Sequence, residues 1–351
     1  MKKRLLVWLV AVLAACSTEL SRPGATPQEP AGAPPPGPGS GGSGRLIFTR
    51  RTDGVWEFDL ATGDLRPLFQ PSPAGEAWVT AAAVAPDGRT IVLAYAPPPP
   101  AGQIQWGYTE LYVMPADGST APLPFLTRRA TAESFFNPSW SADGRFIYYA
   151  HLQQTPAADP ASGALNYQYL VERAAFPAGA REVVVENAYW PRPSRDGARL
   201  AYVALAADFV TNSLWVAGAE GDRAQPVGGL AGFTIVDAPL FTPDGAALLF
   251  SAPSPAPASA RLFWVWWGGV RAARAHNAAS DWWRVALADG QAEQLTRIAE
   301  AGLYGDFSPD GQRLAFVTAK ALMLMDADGR NLTRLMESPG LGTVSWVAPA
   351  P

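Results

Sequence analysis

"FSPDGQRLAFVT", residues 307–318, places an Asp-Gly pair between a short extended run and a run in which apolar residues alternate. This is the pattern of a β-turn joining two antiparallel strands. The residue types have a local reason. Asp accepts hydrogen bonds from the backbone two residues on, and Gly takes φ > 0 without steric cost. The same phrase returns as "VAPDGRTIVLAY" from Val84, "WSADGRFIYYAH" from Trp140, "PSRDGARLAYVA" from Pro193 and "FTPDGAALLFSA" from Phe241. Its aspartates are Asp87, Asp143, Asp196, Asp244 and Asp310, spaced 56, 53, 48 and 66 residues apart, and such recurrence marks a repeat.

A second turn follows each copy, at Gly118, Gly179, Gly221, Gly290 and Gly329. Each unit therefore reads as four antiparallel strands, one blade of a propeller. Residues 45–69 supply the last three strands of a further unit, with Gly63 at its second turn, but no first strand precedes them. "GTVSWVAP", residues 342–349, has the character of that missing strand. The expected fold is all-β: a six-bladed β-propeller of four-stranded antiparallel blades, with the first blade closed by the C-terminal strand so that no sheet edge is left open.

The phrases "SPDGQRLAF", "FTPDGAALLF" and "DGQAEQLT" resemble the WD-like propeller repeats of the TolB type, which also occur in the propellers of prolyl-oligopeptidase-family peptidases. The resemblance covers residues 45–349 and implies fold far more than function. TolB-type proteins carry a separate N-terminal domain, and here a Pro/Gly-rich stretch stands in its place, so their partners do not transfer to this chain.

That stretch follows a start, "MKKRLLVWLVAVLAACSTEL", with a basic n-region (Lys2, Lys3, Arg4), a short apolar core and small residues before the sole cysteine. Leu13-Ala14-Ala15-Cys16 resembles a bacterial lipobox, which implies that Cys16 is acylated and becomes the mature N-terminus. The chain divides accordingly: 1–15 lipoprotein signal peptide, 16–44 lipidated Cys16 and a Pro/Gly/Ala-rich tether, 45–351 propeller. Fully extended as polyproline, the tether would reach at most about 90 Å. The expected location is extracytoplasmic, lipid-anchored to the cell envelope, on the outer face of the cytoplasmic membrane or the inner leaflet of an outer membrane. Two or more acyl chains hold a protein stably where one does not.

Without the signal segment, 24 Lys and Arg face 31 Asp and Glu. An acidic surface argues against nucleic acid and against direct adhesion to anionic lipid, so lipid is the only membrane attachment expected. The chain is expected to be monomeric, to need no cofactor or metal, and to bind an envelope protein or peptide.

Catalytic groups are sparse. There is no G-x-S-x-G elbow for a serine hydrolase. The two histidines, His151 and His276, read as incidental loop residues of the third and fifth blades. TolB-like propellers with lyase activity resemble this chain in fold but use a histidine-rich metal centre. "DADGRN" from Asp326 lacks the ligand spacing of a calcium loop and sits where every blade turns.

Departures from the repeat locate the candidate binding residues. The fifth blade carries an insertion, "SPAPASARLFWVWWGGVRAARAHNAASDWW", with Trp264, Trp266, Trp267 and Arg271. These residue types dominate interface hot spots, although an extra hairpin on the rim could bury them instead. The first residues of the innermost strands, at one mouth of the channel, include Trp78, Phe135, Tyr189, Asp237, Tyr304 and, two residues in, Asp306. They suit a peptide, a sugar or a protein tail, or else pack between blades. A binding module is the leading reading. Carbohydrate or small-ligand capture is the alternative, as is a channel-mouth hydrolase or lyase using Asp237, Asp306 and Glu300 as acid and base.

Overall fold

The repeated turn is built by two side chains, not one. In the third blade the Asp143 Oδ1 accepts from Arg145 N at 3.0 Å and from Ser141 Oγ at 2.7 Å, while Ser141 Oγ accepts from Phe146 N at 2.9 Å. Ser194, Thr242 and Ser308 repeat this arrangement with Asp196, Asp244 and Asp310. Each turn ends on a glycine in the left-handed region, with φ between 67° and 74°. The Ser141 hydroxyl and the Arg145 backbone and side chain hold the Asp143 carboxyl at about 2. Replacing Ser141 by Ala is expected to cost about 1–2 kcal/mol, since one donor and one acceptor are lost together. A urea midpoint unchanged from the parent would rule this out.

The computed structural model describes residues 43–155, 166–206, 211–233, 235–253, 278–337 and 340–349. Among these there is no helix, and twenty-four strands form six four-stranded antiparallel sheets. The first blade holds β1 (Arg45–Arg50), β2 (Gly54–Asp59) and β3 (Leu65–Phe69). The second runs β4 (Trp78–Val84), β5 (Thr90–Ala96), β6 (Glu110–Pro115) and β7 (Leu123–Leu126). The third runs β8 (Ser134–Trp140), β9 (Phe146–Thr155), β10 (Asn166–Ala175) and β11 (Arg181–Glu186). The fourth has β12 (Ala188–Pro193), β13 (Arg199–Leu205), β14 (Asn212–Gly218) and β15 (Gln225–Pro226). The fifth has β16 (Asp237–Phe241), β17 (Ala247–Pro253), β18 (Ser280–Ala286) and β19 (Ala292–Gln294). The sixth has β20 (Tyr304–Phe307), β21 (Arg313–Val317), β22 (Ala321–Asp326) and β23 (Thr333–Glu337). Finally β24 (Val344–Val347) returns to pair with β1, so the first blade is completed by the C-terminal strand as the sequence predicts.

The hydrophobic core lies between blades. Ile47, Val55, Val79 and Leu93 pack first against second; Ala83, Phe135, Ile147 and Tyr149 pack second against third; Tyr148, Val171, Leu200 and Tyr202 pack third against fourth. Polar ties cross the same interfaces. Trp140 Nε1 donates to Ala83 O at 3.0 Å, and Ser139 Oγ donates to Pro191 O at 2.8 Å.

The innermost strands of the third, fourth and fifth blades share a bulge. Their register shifts between Phe136 and Ser139, Tyr189 and Arg192, and Asp237 and Leu240. The extra residues are Asn137-Pro138, Trp190-Pro191 and Ala238-Pro239, and the first of each pair has φ of 49°, 55° and 49°. Proline has no N–H for the ladder, and a bulge is where a strand tolerates it.

Candidate functional site

Strand direction gives the ring two unlike faces. Asp-Gly turns and second turns share one, the turn face; the loop face carries the first residues of the innermost strands and the connections between second and third strands.

The predicted mouth residues sit on or under the loop face, but in different surroundings. Trp78 is half-buried, with the Arg51 guanidinium 4.0 Å over its ring and its Nε1 donating to Gly75 O at 3.3 Å. Burial lowers the Arg51 pKa. Phe135 is fully buried, edge-on to Tyr149 and 4.8 Å from the His151 ring. Tyr189 joins two blades: its hydroxyl donates to Asp237 Oδ1 at 3.1 Å and accepts from Asn212 Nδ2 at 2.8 Å. Asp237 is buried behind it.

Tyr304 and Asp306 belong to a charged bridge across the channel. Arg192, on the fourth blade, bonds the Tyr304 hydroxyl, Gly305 O at 3.0 Å and Asp306 Oδ1 at 3.3 Å, all on the sixth. Asp306 Oδ2 accepts from Trp346 N at 2.9 Å. Nearer the turn face, Arg195 reaches Ser308 O at 2.7 Å and Pro309 O at 3.1 Å. Burial pushes the Asp306 carboxyl up, against the pull of Arg192, although the side chain keeps 29% of its exposure. A group with that exposure deep in the ring borders the channel. Burial raises Tyr304 likewise.

Glu300 lies on another connection, 3.9 Å from Lys320 Nζ. Two surface cavities have volumes of about 350 and 480 Å³, one lined by Pro86, Asp87, Trp140 and Asp143 and the other by Glu76, Pro99, Gln103 and Gln105. Neither is lined by Asp237, Asp306 or Glu300, so those carboxylates share neither cavity. Among the described residues no group of three or more His, Cys, Asp or Glu is placed to hold a metal ion. Cys16, Trp264, Trp266, Trp267, Arg271 and His276 lie outside the described residues.

His151 requires a correction. It is not a loop residue: it lies in β9 and is 3% exposed. Its Nδ1 is 2.9 Å from Glu172 Oε1 and its Nε2 is 2.9 Å from Glu133 Oε1. Glu172 also accepts from Tyr149 Oη at 2.7 Å and Arg181 Nη2 at 2.8 Å. Burial works against ionising Glu172, yet these bonds from His151, Tyr149 and Arg181 hold its carboxyl at about 2. Glu133 in turn accepts from Arg129 N and Ala130 N, fixing the connection between the second and third blades.

Two surface features had no counterpart in the sequence reading. In the third blade β9 pairs β10 over ten residue pairs, whereas β11 covers only Leu170–Ala174. The pairs Gln153–Gln168, Gln154–Tyr167 and Thr155–Asn166 run past both neighbouring strands as an arm about 10 Å long. At its base Tyr169 lies 6.2 Å from Phe136 and 6.2 Å from Tyr189, making a half-buried aromatic row over the third and fourth blades. In the second blade Gln105 Nε2 donates to Glu76 O and Pro97 O at 2.8 Å each, and its Oε1 accepts from Gly107 N. Pinned this way, Gln105 leaves its neighbours Ile104 and Trp106 70% and 46% exposed. The available signal was alternation: "NYQY" puts Tyr167 and Tyr169 on one side of a strand.

No protein-family model matches the chain, and no curated protein matches it. Solved structures do. A putative TolB from Agrobacterium tumefaciens is 19% identical with a TM-score of 0.57, over 88% of this chain and 100% of that one. A chain of a nidogen/laminin complex is 10% identical with a TM-score of 0.56, over 86% and 97%. The hydrazine synthase of Kuenenia stuttgartiensis is 13% identical with a TM-score of 0.59, over 87% of this chain and 47% of that one. At these identities the likeness is one of fold.

Proposed function

We propose that this chain is a binding propeller of the cell envelope, which holds a protein or other partner on its loop face instead of transforming it. The observation that carries the reading is the contrast between two kinds of mouth residue. Asp237 and Asp306 are engaged in ties between blades, while Phe136, Tyr169, Tyr189 and Trp106 present aromatic surface on a rigid frame. Rigid aromatic surface is what a recognition site needs, because little conformational freedom is lost on binding.

The chain solved in the nidogen/laminin complex supplies a precedent for such a fold in a protein assembly. The sequence supports a lipid on Cys16 followed by a tether. Ser43 O accepts from Trp346 Nε1, and Gly44 O accepts from Leu60 N, so the tether joins the ring on its turn face. A partner on the loop face would then bind on the side opposite the point where the tether joins the ring.

A photo-crosslinking residue at Trp106 in the native envelope is expected to capture a partner. The same residue at Asp289, in a second turn, is expected to capture none. Capture from Asp289 alone would place the binding surface on the wrong face, and a Cys16→Ser chain that still takes up labelled fatty acid would remove the anchor.

A further inference from the structure

The loop face of the second to fourth blades is set apart by chemistry. Residues 97–108 (PPPPAGQIQWGY), 134–137 (SFFN), 152–155 (LQQT), 166–169 (NYQY) and 187–190 (NAYW) contain no Asp, Glu, Lys or Arg, in a chain that is 17% charged. On the turn face, by contrast, Asp87, Arg89, Asp143, Arg145, Arg195, Asp196, Asp222 and Arg223 crowd the turns. Of the charged residues that border the strip, Glu133 bonds His151 and Arg128 pairs with Glu110 at 3.5 Å, while Glu186 is exposed beside Asn187.

What fills the strip is phenol rings and amides. Phe136, Tyr169 and Tyr189 form the row, Tyr167 and Gln154 lie on the same side of the arm as Tyr169, and Gln153 Nε2 bonds Gln168 Oε1 at 3.1 Å on its other side. Because the Tyr189 hydroxyl is engaged with Asp237 and Asn212, that residue offers its ring outward. Leu152 is the one aliphatic side chain among residues 152–155 and 166–169, so the apolar surface there is aromatic.

We infer that this strip is a binding site for a neutral oligosaccharide. A sugar ring has a face of C–H groups that packs on an aromatic face, and a rim of hydroxyls. Each hydroxyl donates and accepts, as does the amide of Gln154, which stands opposite Tyr167 on the same side of the arm as Tyr169. An anionic polymer would need arginine or lysine, and the strip has neither. The inference rests on the binding reading above and gives its loop face a ligand class.

The test uses the full chain with three neutral probes: cellotetraose, maltotetraose and tetra-N-acetylchitotetraose. At least one is expected to raise the Tm, as a ligand of the folded state must. Affinity by calorimetry should fall at least tenfold in Tyr169→Ala, while heparin, an anionic control, leaves the Tm unchanged. Tyr167→Ala, on the part of the arm clear of the blade, gives the same reading if Tyr169→Ala fails to fold. No Tm shift with any probe at millimolar concentration, or full affinity in both variants, would overturn the inference. If the probes fail while Trp106 still captures a protein in the envelope, the saccharide falls and the binding face stands. If both fail, both fall.

Discussion

A chain lacking residues 342–351 is expected to lose its near-UV circular dichroism and to aggregate. The strand removed is the innermost of the first blade. Arg45, Leu46, Ile47 and Phe48 of β1 pair with Val347, Trp346, Ser345 and Val344, and without those partners a row of backbone N–H and C=O groups in the ring's centre goes unpaired. Losses reach both neighbours. On the second blade, Ala82 N loses the Thr343 hydroxyl at 2.7 Å, and Ala82 O loses its donor at 2.9 Å. On the sixth, Asp306 loses the Trp346 amide. A propeller's interfaces depend on a closed circle, so one missing wedge loosens all six. The smaller change Trp346→Ala removes an indole that is 8% exposed and should cost about 3–5 kcal/mol, read as a lower urea midpoint with the fold retained. A truncated chain that stays monomeric with a native near-UV spectrum would show that the ring does not depend on its closure.

That closure was legible because the fold is written in punctuation. Asp-Gly and the second glycine impose turns by local chemistry, and "GTVSWVAP" could be matched to the missing strand from sequence alone. The Asn137-Pro138, Trp190-Pro191 and Ala238-Pro239 pairs also stand at one offset, six and five residues before the motif aspartates. They went unread because a bulge is a feature of register, and register is settled between strands. Side-chain direction was the other gap. Phe135 and Phe136 are neighbours of one type, and only the twist of β8 decides that the first is buried and the second half-exposed. His151 was missed for a related reason. Its partners Glu133, Glu172 and Arg181 lie 18, 21 and 30 residues away, and the three elements that bring them together are adjacent only in the folded blade.

The His151 network carries the second large effect, and pH reveals it. Glu172 has a folded-state pKa of about 2 against an ordinary 4.5. A carboxyl whose pKa is depressed on folding contributes stability that is fully present above its unfolded value and is lost as pH falls through the folded one. From pH 5 downward to about 2 the protein should lose on the order of 3 kcal/mol through this group. Asp143 titrates in the same window, so the informative quantity is the difference between parent and Glu172→Gln. The variant should be less stable than the parent at pH 6, with the gap closing near pH 2. Parallel losses in the two proteins would show that Glu172 does not carry the acid response. His151→Phe is the harsher change, since the ring joins Glu133 to Glu172 and all three are at most 6% exposed. Removing the imidazole leaves Glu133 and Glu172 each short of one buried hydrogen-bond partner, which costs about 1–3 kcal/mol per group. The loss should be accompanied by faster hydrogen exchange at Arg129 and Ala130, whose amides Glu133 now holds. Unchanged exchange there, at reduced global stability, would confine the role of His151 to the blade interior and leave the connection between the second and third blades independent of it.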